Sequence, residues 1–142
     1  MFRKTSEYAI RATIFIAQQT NNGSISTQGQ IADAIGSPVA FTAKILQKLA
    51  RQRLIQSKKG PNGGFYLEKP DQLFLKDIAR AIDGNDVLNK CVLGLKGCND
   101  KNPCPIHFQY VAIRDGMNAM LESSSIQDLV LKLQEEKVRL KR

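Results

Sequence analysis

Residues 27–67, TQGQIADAIGSPVAFTAKILQKLARQRLIQSKKGPNGGFYL, decide how this chain is read. Thr27-x-x-Gln30 is a capping-box pattern, and it starts a short helix carrying Ile31, Ala32, Ala34 and Ile35. Gly36 stops that helix. Ser37-Pro38 then offers an N-cap followed by proline at the first helical position. The helix so begun runs to about Gln52, with Thr42, Ile45, Leu46 and Leu49 as its buried stripe. Ala40, Lys44, Gln47, Lys48 and Arg51 lie toward its other side. A short helix, a glycine turn and a second helix with a basic outer face is the helix-turn-helix plan, in which the second helix lies in the DNA major groove. Small Ala40 and Ala43 permit close approach to base edges, and Lys44 is the best placed for a base contact. Phe41 either packs inward, the preferred reading, or touches a thymine methyl.

The residues that follow read as a wing. Leu54 to Lys58 is a strand pattern, Lys59-Gly60-Pro61-Asn62-Gly63-Gly64 a glycine-rich turn, and Phe65-Tyr66-Leu67 the return strand. Lys58 and Lys59 at its tip suit phosphates or a narrow minor groove. From Lys44 to Lys59 there are six Lys or Arg and no acid, a run that an ordinary solvated hairpin does not need. The glycines lack the lysine and hydroxyl spacing of a nucleotide-binding loop.

Charge over the whole chain agrees. Residues 1–60 hold nine Lys or Arg against Glu7 and Asp33, a net +7, whereas residues 61–142 are net +1. Such asymmetry predicts a polyanionic partner for the N-terminal half. A membrane surface is disfavoured, because the charges sit on a helix and a hairpin rather than on one amphipathic helix. No apolar run approaches the ~20 residues of a membrane span, and no signal-peptide pattern is read. At 142 residues the chain is one domain with at most an appended element. An odd count of three cysteines favours reduced thiols in the cytoplasm.

Before the helix-turn-helix, Met1 to Gln19 reads as a buried helix closed by Asn21-Asn22-Gly23, with Glu7 as a first-turn acid. After the wing, Pro70-Asp71 breaks the chain, and Leu75 to Ile82 reads as a short helix with Ile78, Ala79 and Ile82 inward. A long helical pattern runs from about Ile106 to Leu121, where Gly116 marks close approach of another helix. Ser125 caps a last helix with Ile126, Leu129, Val130 and Leu133 on one face. These two apolar helices exceed what a winged domain needs, and a dimer is their economical use. The fold expected is mainly α with a small β-hairpin wing: a winged helix-turn-helix over 1–70, then a helical region over 71–142 with dimerisation helices.

Between the two halves of that helical region lie all three cysteines and the only histidine: Cys91, Cys98, Cys104 and His107, spaced C-x6-C-x5-C-x2-H. Thiolate and imidazole are ligands for zinc, copper or iron. Three readings compete, in order of preference: an iron–sulfur cluster, bare thiols, and structural zinc. Zinc comes last because its sites build on close C-x2–4-C knuckles, and none occurs here. Lys90 and Lys96 stand near enough to lower a thiol pKa. One histidine, no serine elbow and no paired carboxylates leave few parts for catalysis, so the chain is not read as an enzyme.

Taken together, these residues resemble the IscR/NsrR/CymR group of bacterial winged-helix regulators, the Rrf family. The resemblance is carried by Ser6-Glu7-Tyr8-Ala9-Ile10-Arg11, Ile31-Ala32, Ser37-Pro38, Leu46-x-x-Leu49, Leu54-Ile55 and the wing from Lys59 to Phe65. Leu75-x-x-Ile78-x-x-Ala81-Ile82-Asp83-Gly84 and the cysteine loop complete it. It implies a dimeric repressor on palindromic double-stranded DNA, with the recognition helix in the major groove and the wing tip in the minor groove. Thr27, Ala40, Phe41, Lys44, Lys48, Lys58, Lys59 and Asn62 are the expected DNA contacts. It further implies a two- or four-iron cluster on Cys91, Cys98 and Cys104, sensing redox state, nitric oxide or iron–sulfur status. Members without a cluster respond to a regulatory protein partner or to thiol oxidation. The loop departs from the family in its first spacing, six residues where five are usual. The fourth ligand stays open between His107, the preferred reading, and Glu7 of the partner subunit.

Overall fold

The computed structural model describes residues 2–136 and 139–141. Among them, six α-helices and one two-stranded sheet follow in the order α1 (Lys4–Asn21), α2 (Gln28–Ile35), α3 (Val39–Arg51), β1 (Gln56–Lys58), β2 (Gly64–Tyr66), α4 (Leu75–Asp83), α5 (His107–Ser123) and α6 (Ile126–Glu135). Short 3-10 turns at Pro70–Gln72 and Asn85–Leu88 flank α4. The winged helix and the helices after it were expected, and this is what folds. The two regions read from the sequence share one hydrophobic core: Ala12, Ile16, Ile31, Leu46 and Leu49 pack in the same cluster as Ile78, Ile126 and Val130.

α1 is the central post, packed against α2, α3, α4 and α6. Alanine at 9, 12 and 17, all fully buried, lets those neighbours come close. Its fully buried Thr13 is satisfied locally, since the hydroxyl donates to the Ala9 carbonyl at 2.8 Å. The helix begins at Lys4 rather than at the chain start; Met1 lies outside the described residues.

The capping box of α2 forms as expected. Thr27 Oγ1 accepts from Gln30 N at 3.3 Å, and Gln30 Oε1 from Thr27 N at 3.0 Å. Gly36 closes α2 in the left-handed region (φ 65°) and so makes the tight turn into α3. Helix α3 starts one residue later than the Ser37 cap predicts. Pro38 itself occupies the N-cap position without a side-chain cap, and its carbonyl accepts from Thr42 N and Oγ1, both at 2.9 Å. The stripe Thr42, Ile45, Leu46 and Leu49 is buried as read.

The wing is shorter than its pattern. Leu54 and Ile55 leave α3 through Arg53, which takes φ 62°, and Ile55 goes into the core instead of a strand. β1 and β2 then pair antiparallel with Gln56 opposite Tyr66, Ser57 opposite Phe65 and Lys58 opposite Gly64. The outer edge of β2 is also held: Ser26 N donates to Phe65 O at 3.0 Å, and Phe65 N to Ser26 O at 2.8 Å. This third pairing explains Gly64, where a Cβ would stand 2.4 Å from Ser26 O, while the hairpin itself explains Gly63, where one would stand 2.0 Å from Lys58 O.

The two C-terminal helices, both expected to serve a dimer, divide the work differently. α6 is capped by the reciprocal Ser125–Asp128 pair and packs back on α1, with Ile126 and Val130 fully buried, so its stripe is consumed within the chain. α5 buries only His107 and Leu121. Phe108, Ile113 and Met120 are exposed along it, and a Cβ at Gly116 would meet nothing within 4 Å among the described residues. The close helix expected at Gly116 is therefore not one of this chain's described helices.

Candidate functional site

One candidate surface is the outer face of α3 with the wing. Ala40, Lys44, Gln47 and Arg51 are all exposed on α3, as are Thr27 at the head of α2 and Lys58, Lys59 and Asn62 on the hairpin. Phe41 packs inward: it is half-buried, and its ring meets Tyr8 of α1 edge-on at 5.5 Å. The Arg11 guanidinium covers that tyrosine at 4.5 Å.

Lys48 is exposed, yet its Nζ donates to the Ile82 carbonyl at 2.9 Å. Gln52 Nε2 donates to the Ala81 carbonyl at 3.0 Å. Both side chains thus cap carbonyls in the last turn of α4, groups with no partner inside a helix. At the same end, the Asp83 side chain is almost fully enclosed, accepts from Ser6 Oγ and lies 3.9 Å from Arg3 Nε. The end of α4 is thereby fastened to both α1 and α3, and the chain leaves it through the Asn85–Leu88 turn for the cysteine loop. The sequence reading placed Lys48 on the outer face and took Gln52 only as the helix end, because the residues they meet are 34 and 29 positions away.

The cysteine loop is the second candidate site. The three Sγ atoms of Cys91, Cys98 and Cys104 lie within 4.8 Å of one another. Cys91 and Cys104 are 3.7 Å apart, and Cys98 Sγ accepts from Cys104 N at 3.4 Å. His107, in the first turn of α5, joins them: its Nδ1 is 3.2 Å from Cys98 Sγ. Cys104 and His107 are buried, while Cys91 and Cys98 are half-buried. All four residues singled out by spacing therefore meet. The glycines of the x6 segment accommodate its extra residue, with Gly94 at φ 69° and Gly97 at φ 76°. Glu7 is exposed on α1 and does not belong to its own chain's cluster.

Electrostatics separates the thiols. Backbone N–H of Leu95 is the main cause holding the Cys91 thiol down to about 7, with Leu93 N–H and the other two sulfurs assisting against partial burial. For Cys98 the N–H of Cys104 also favours thiolate, but desolvation and the neighbouring sulfurs outweigh it and push the thiol up.

The donor set fits a soft or borderline metal centre. Tetrahedral ligation at metal–sulfur bonds of ~2.3 Å puts sulfurs roughly 3.8 Å apart, close to the Cys91–Cys104 separation of 3.7 Å. One partner was missed by sequence reasoning. Asp100, to which the spacing assigned no role, places Oδ1 2.8 Å from His107 Nε2. Also missed were Val92, Leu93 and Leu95, which leave an exposed apolar rim beside the thiols.

Comparison with known proteins follows the same lines. The model of the Rrf2 family, described as iron-dependent transcriptional regulator, matches residues 2–132. The HTH-type transcriptional regulator IscR of Photorhabdus laumondii is 24% identical over 124 residues, spanning 87% of this chain and 74% of the relative. Among solved structures, T. potens IscR has a TM-score of 0.76 at 17% identity, covering 97% of this chain and 91% of that one. CymR, the global cysteine regulator of B. subtilis, has a TM-score of 0.73 at 20% identity, covering 92% and 95%. The solved structures bear on the fold alone, and it is the fold described above. No described helix is long and apolar enough to cross a membrane.

Proposed function

The chain belongs to the Rrf2 family of transcriptional regulators, and from that premise we propose a cytoplasmic homodimer that binds palindromic DNA and represses transcription in response to an iron–sulfur cluster. The observation that carries the sensing half is the meeting of Cys91, Cys98, Cys104 and His107 in one centre. Those four residues of one chain hold the cluster, and Glu7 of the partner subunit is the alternative to His107. A bound cluster of two or four irons supplies the redox and nitric-oxide chemistry. The chain's own part is to hold the loop, and through the loop the end of α4.

The route to DNA is short. Lys48 and Gln52 of α3 grip the last carbonyls of α4. A bound cluster would be held by the loop, and any change in the loop would be passed through the end of α4 to α3 along these two hydrogen bonds. Such a switch requires the cluster to favour one of the two states over the other. The reading heads are residues 1–70, with α3 in the major groove. Ala40 and Lys44 face bases there, and Thr27 stands at a phosphate. Lys58, Lys59 and Asn62 enter the minor groove. Phe41 supports α3 from behind, and Lys48 acts as strut more than as phosphate contact. α5 supplies the dimer face, since among the described residues much of its apolar side is left exposed.

Anaerobic purification followed by iron and sulfide counting tests the cluster. A colourless, iron-free protein after reconstitution would refute it. The sulfur separation of 3.7 Å favours a second reading, a single tetrahedral ion; zinc or iron without sulfide would establish it. Lys44→Ala is expected to weaken discrimination between operator and non-operator DNA. Lys58→Ala and Lys59→Ala should weaken both and flatten the salt slope by about one unit per lost phosphate contact. Unchanged affinity in all three variants would remove α3 and the wing as the DNA surface.

A further inference from the structure

Asp100 sits in a turn that is fixed before it reaches the metal site. Asn102 N donates to Asn99 O at 3.0 Å, and Asn99 N to Asn102 O at 3.3 Å. The Asn99 side-chain carbonyl accepts from Lys101 N at 2.9 Å and Asn102 N at 3.0 Å, while its Nδ2 donates to Gly97 O at 3.0 Å. From this frame Asp100 reaches the His107 ring on the side opposite the thiols. A carboxylate only accepts hydrogen bonds, so the 2.8 Å contact requires the proton on Nε2. In a neutral imidazole the lone pair then lies on Nδ1, the nitrogen 3.2 Å from Cys98 Sγ.

Burial sharpens the division of labour. The His107 side chain is 8% exposed, whereas Asp100 is 86% exposed. The carboxylate keeps its hydration and adds direction to a ring that is already enclosed, with Phe108 edge-on to it at 5.0 Å. Metal-bound histidines are commonly oriented in this way by a carboxylate on the other ring nitrogen, which fixes the tautomer and raises ligand basicity.

We propose that Asp100 is the positioning residue of this site: it locks His107 in the Nε2–H tautomer and aims Nδ1 at the three thiols as the fourth ligand. This rests on the reading of the cysteine loop as a metal centre, and it decides the fourth ligand in favour of His107 over Glu7 of the partner subunit.

The chain has one histidine, so labelling it with nitrogen-15 reports a single imidazole. In the full-length, reduced, metal-free protein at mildly alkaline pH, long-range proton–nitrogen spectra should show Nε2 protonated and Nδ1 bare. Asp100→Ala should give a mixture of tautomers, and Asp100→Glu, which keeps an acceptor, should restore much of the preference. Far-UV circular dichroism checks that the exposed substitution leaves the fold intact. Cobalt(II) added anaerobically is the second probe. Asp100→Ala should weaken its binding about 10–100-fold, and should add nothing in a His107→Ala background. An Nδ1-protonated parent, or an unchanged tautomer in Asp100→Ala, overturns the positioning role directly. Undiminished cobalt affinity in His107→Ala overturns the ligand assignment, whatever the tautomer. Failure of cobalt to bind the parent chain at all refutes the metal-centre reading on which both stand.

Discussion

Replacing Gly64 with alanine should loosen the wing, and the structure sets the size of the effect. Gly64 takes φ +152°, and its added Cβ would stand 2.4 Å from Ser26 O and 2.9 Å from Ile25 Cγ2. Neither the backbone nor the side chain can accept that without moving β2 away from residue 26. Two hydrogen bonds join them, Ser26 N to Phe65 O and Phe65 N to Ser26 O. At about 0.5–1.5 kcal/mol net for each, their loss costs about 1–3 kcal/mol, against a total of about 5–15 kcal/mol for a domain. Unfolding entropy is about 2.1 cal/mol/K per residue, or roughly 0.3 kcal/mol/K for a chain of this length, so Tm should fall by about 3–10 °C. Because Gly64 lies opposite Lys58, the wing tip is displaced as well, and affinity for operator DNA should drop with it. Gly29→Ala is the internal control. It lies in the first turn of α2, and among the described residues nothing stands within 4 Å of its would-be Cβ, so alanine should stabilise by up to about 0.5 kcal/mol, less than in a helix interior. The assays are thermal melting followed by circular dichroism and fluorescence anisotropy with labelled DNA. A Gly64→Ala protein that melts with the parent and binds DNA equally would refute the steric argument, as would a Gly29→Ala protein that melts lower.

Two further outcomes follow from the thiols and from α5. Since the Leu95 N–H and its neighbours hold the Cys91 thiol down to about 7 and Cys98 is pushed up, Cys91 is thiolate above neutral pH while Cys98 remains protonated. In the metal-free reduced protein, iodoacetamide should modify Cys91 first, with a rate that rises through a midpoint near 7; peptide mapping that finds Cys98 first would contradict this. Gly116→Leu should leave the folded chain intact, because among the described residues nothing stands within 4 Å of a Cβ at that position and leucine favours a helix more than glycine does. It should nonetheless shift the molecular mass in solution toward monomer if α5 is the dimer face, and light scattering that reports an undisturbed dimer would move the interface elsewhere.

Much of this molecule was legible in the sequence because its signals are local. The Thr27–Gln30 box, the Ser125 cap, the Gly36 stop and the stripe through Ile45 and Leu49 are local signals, and each folds as its pattern implies. The wing was visible from its glycines and lysines, although its strands are shorter than the pattern because Ile55 is claimed by the core. The meeting of Cys91, Cys98, Cys104 and His107 was legible because the four lie close together in sequence, His107 just after the loop that holds the cysteines.

Tertiary structure alone decided the rest. Two amphipathic C-terminal helices look alike as sequence, yet α6 spends its apolar face on α1 while α5 keeps much of its own exposed. Periodicity reports that a face is apolar and is silent about what covers it. Lys48 and Gln52 became caps for α4, and Ser26 became the outer partner of β2, through hydrogen bonds between residues far apart in sequence. Asp100 shows the same limit at short range. It is seven residues from His107, but only the folded turn of Asn99 to Asn102 aims its carboxylate at that ring. The sequence determined which side chains could form a sensor and a reading head; packing determined how the two are joined.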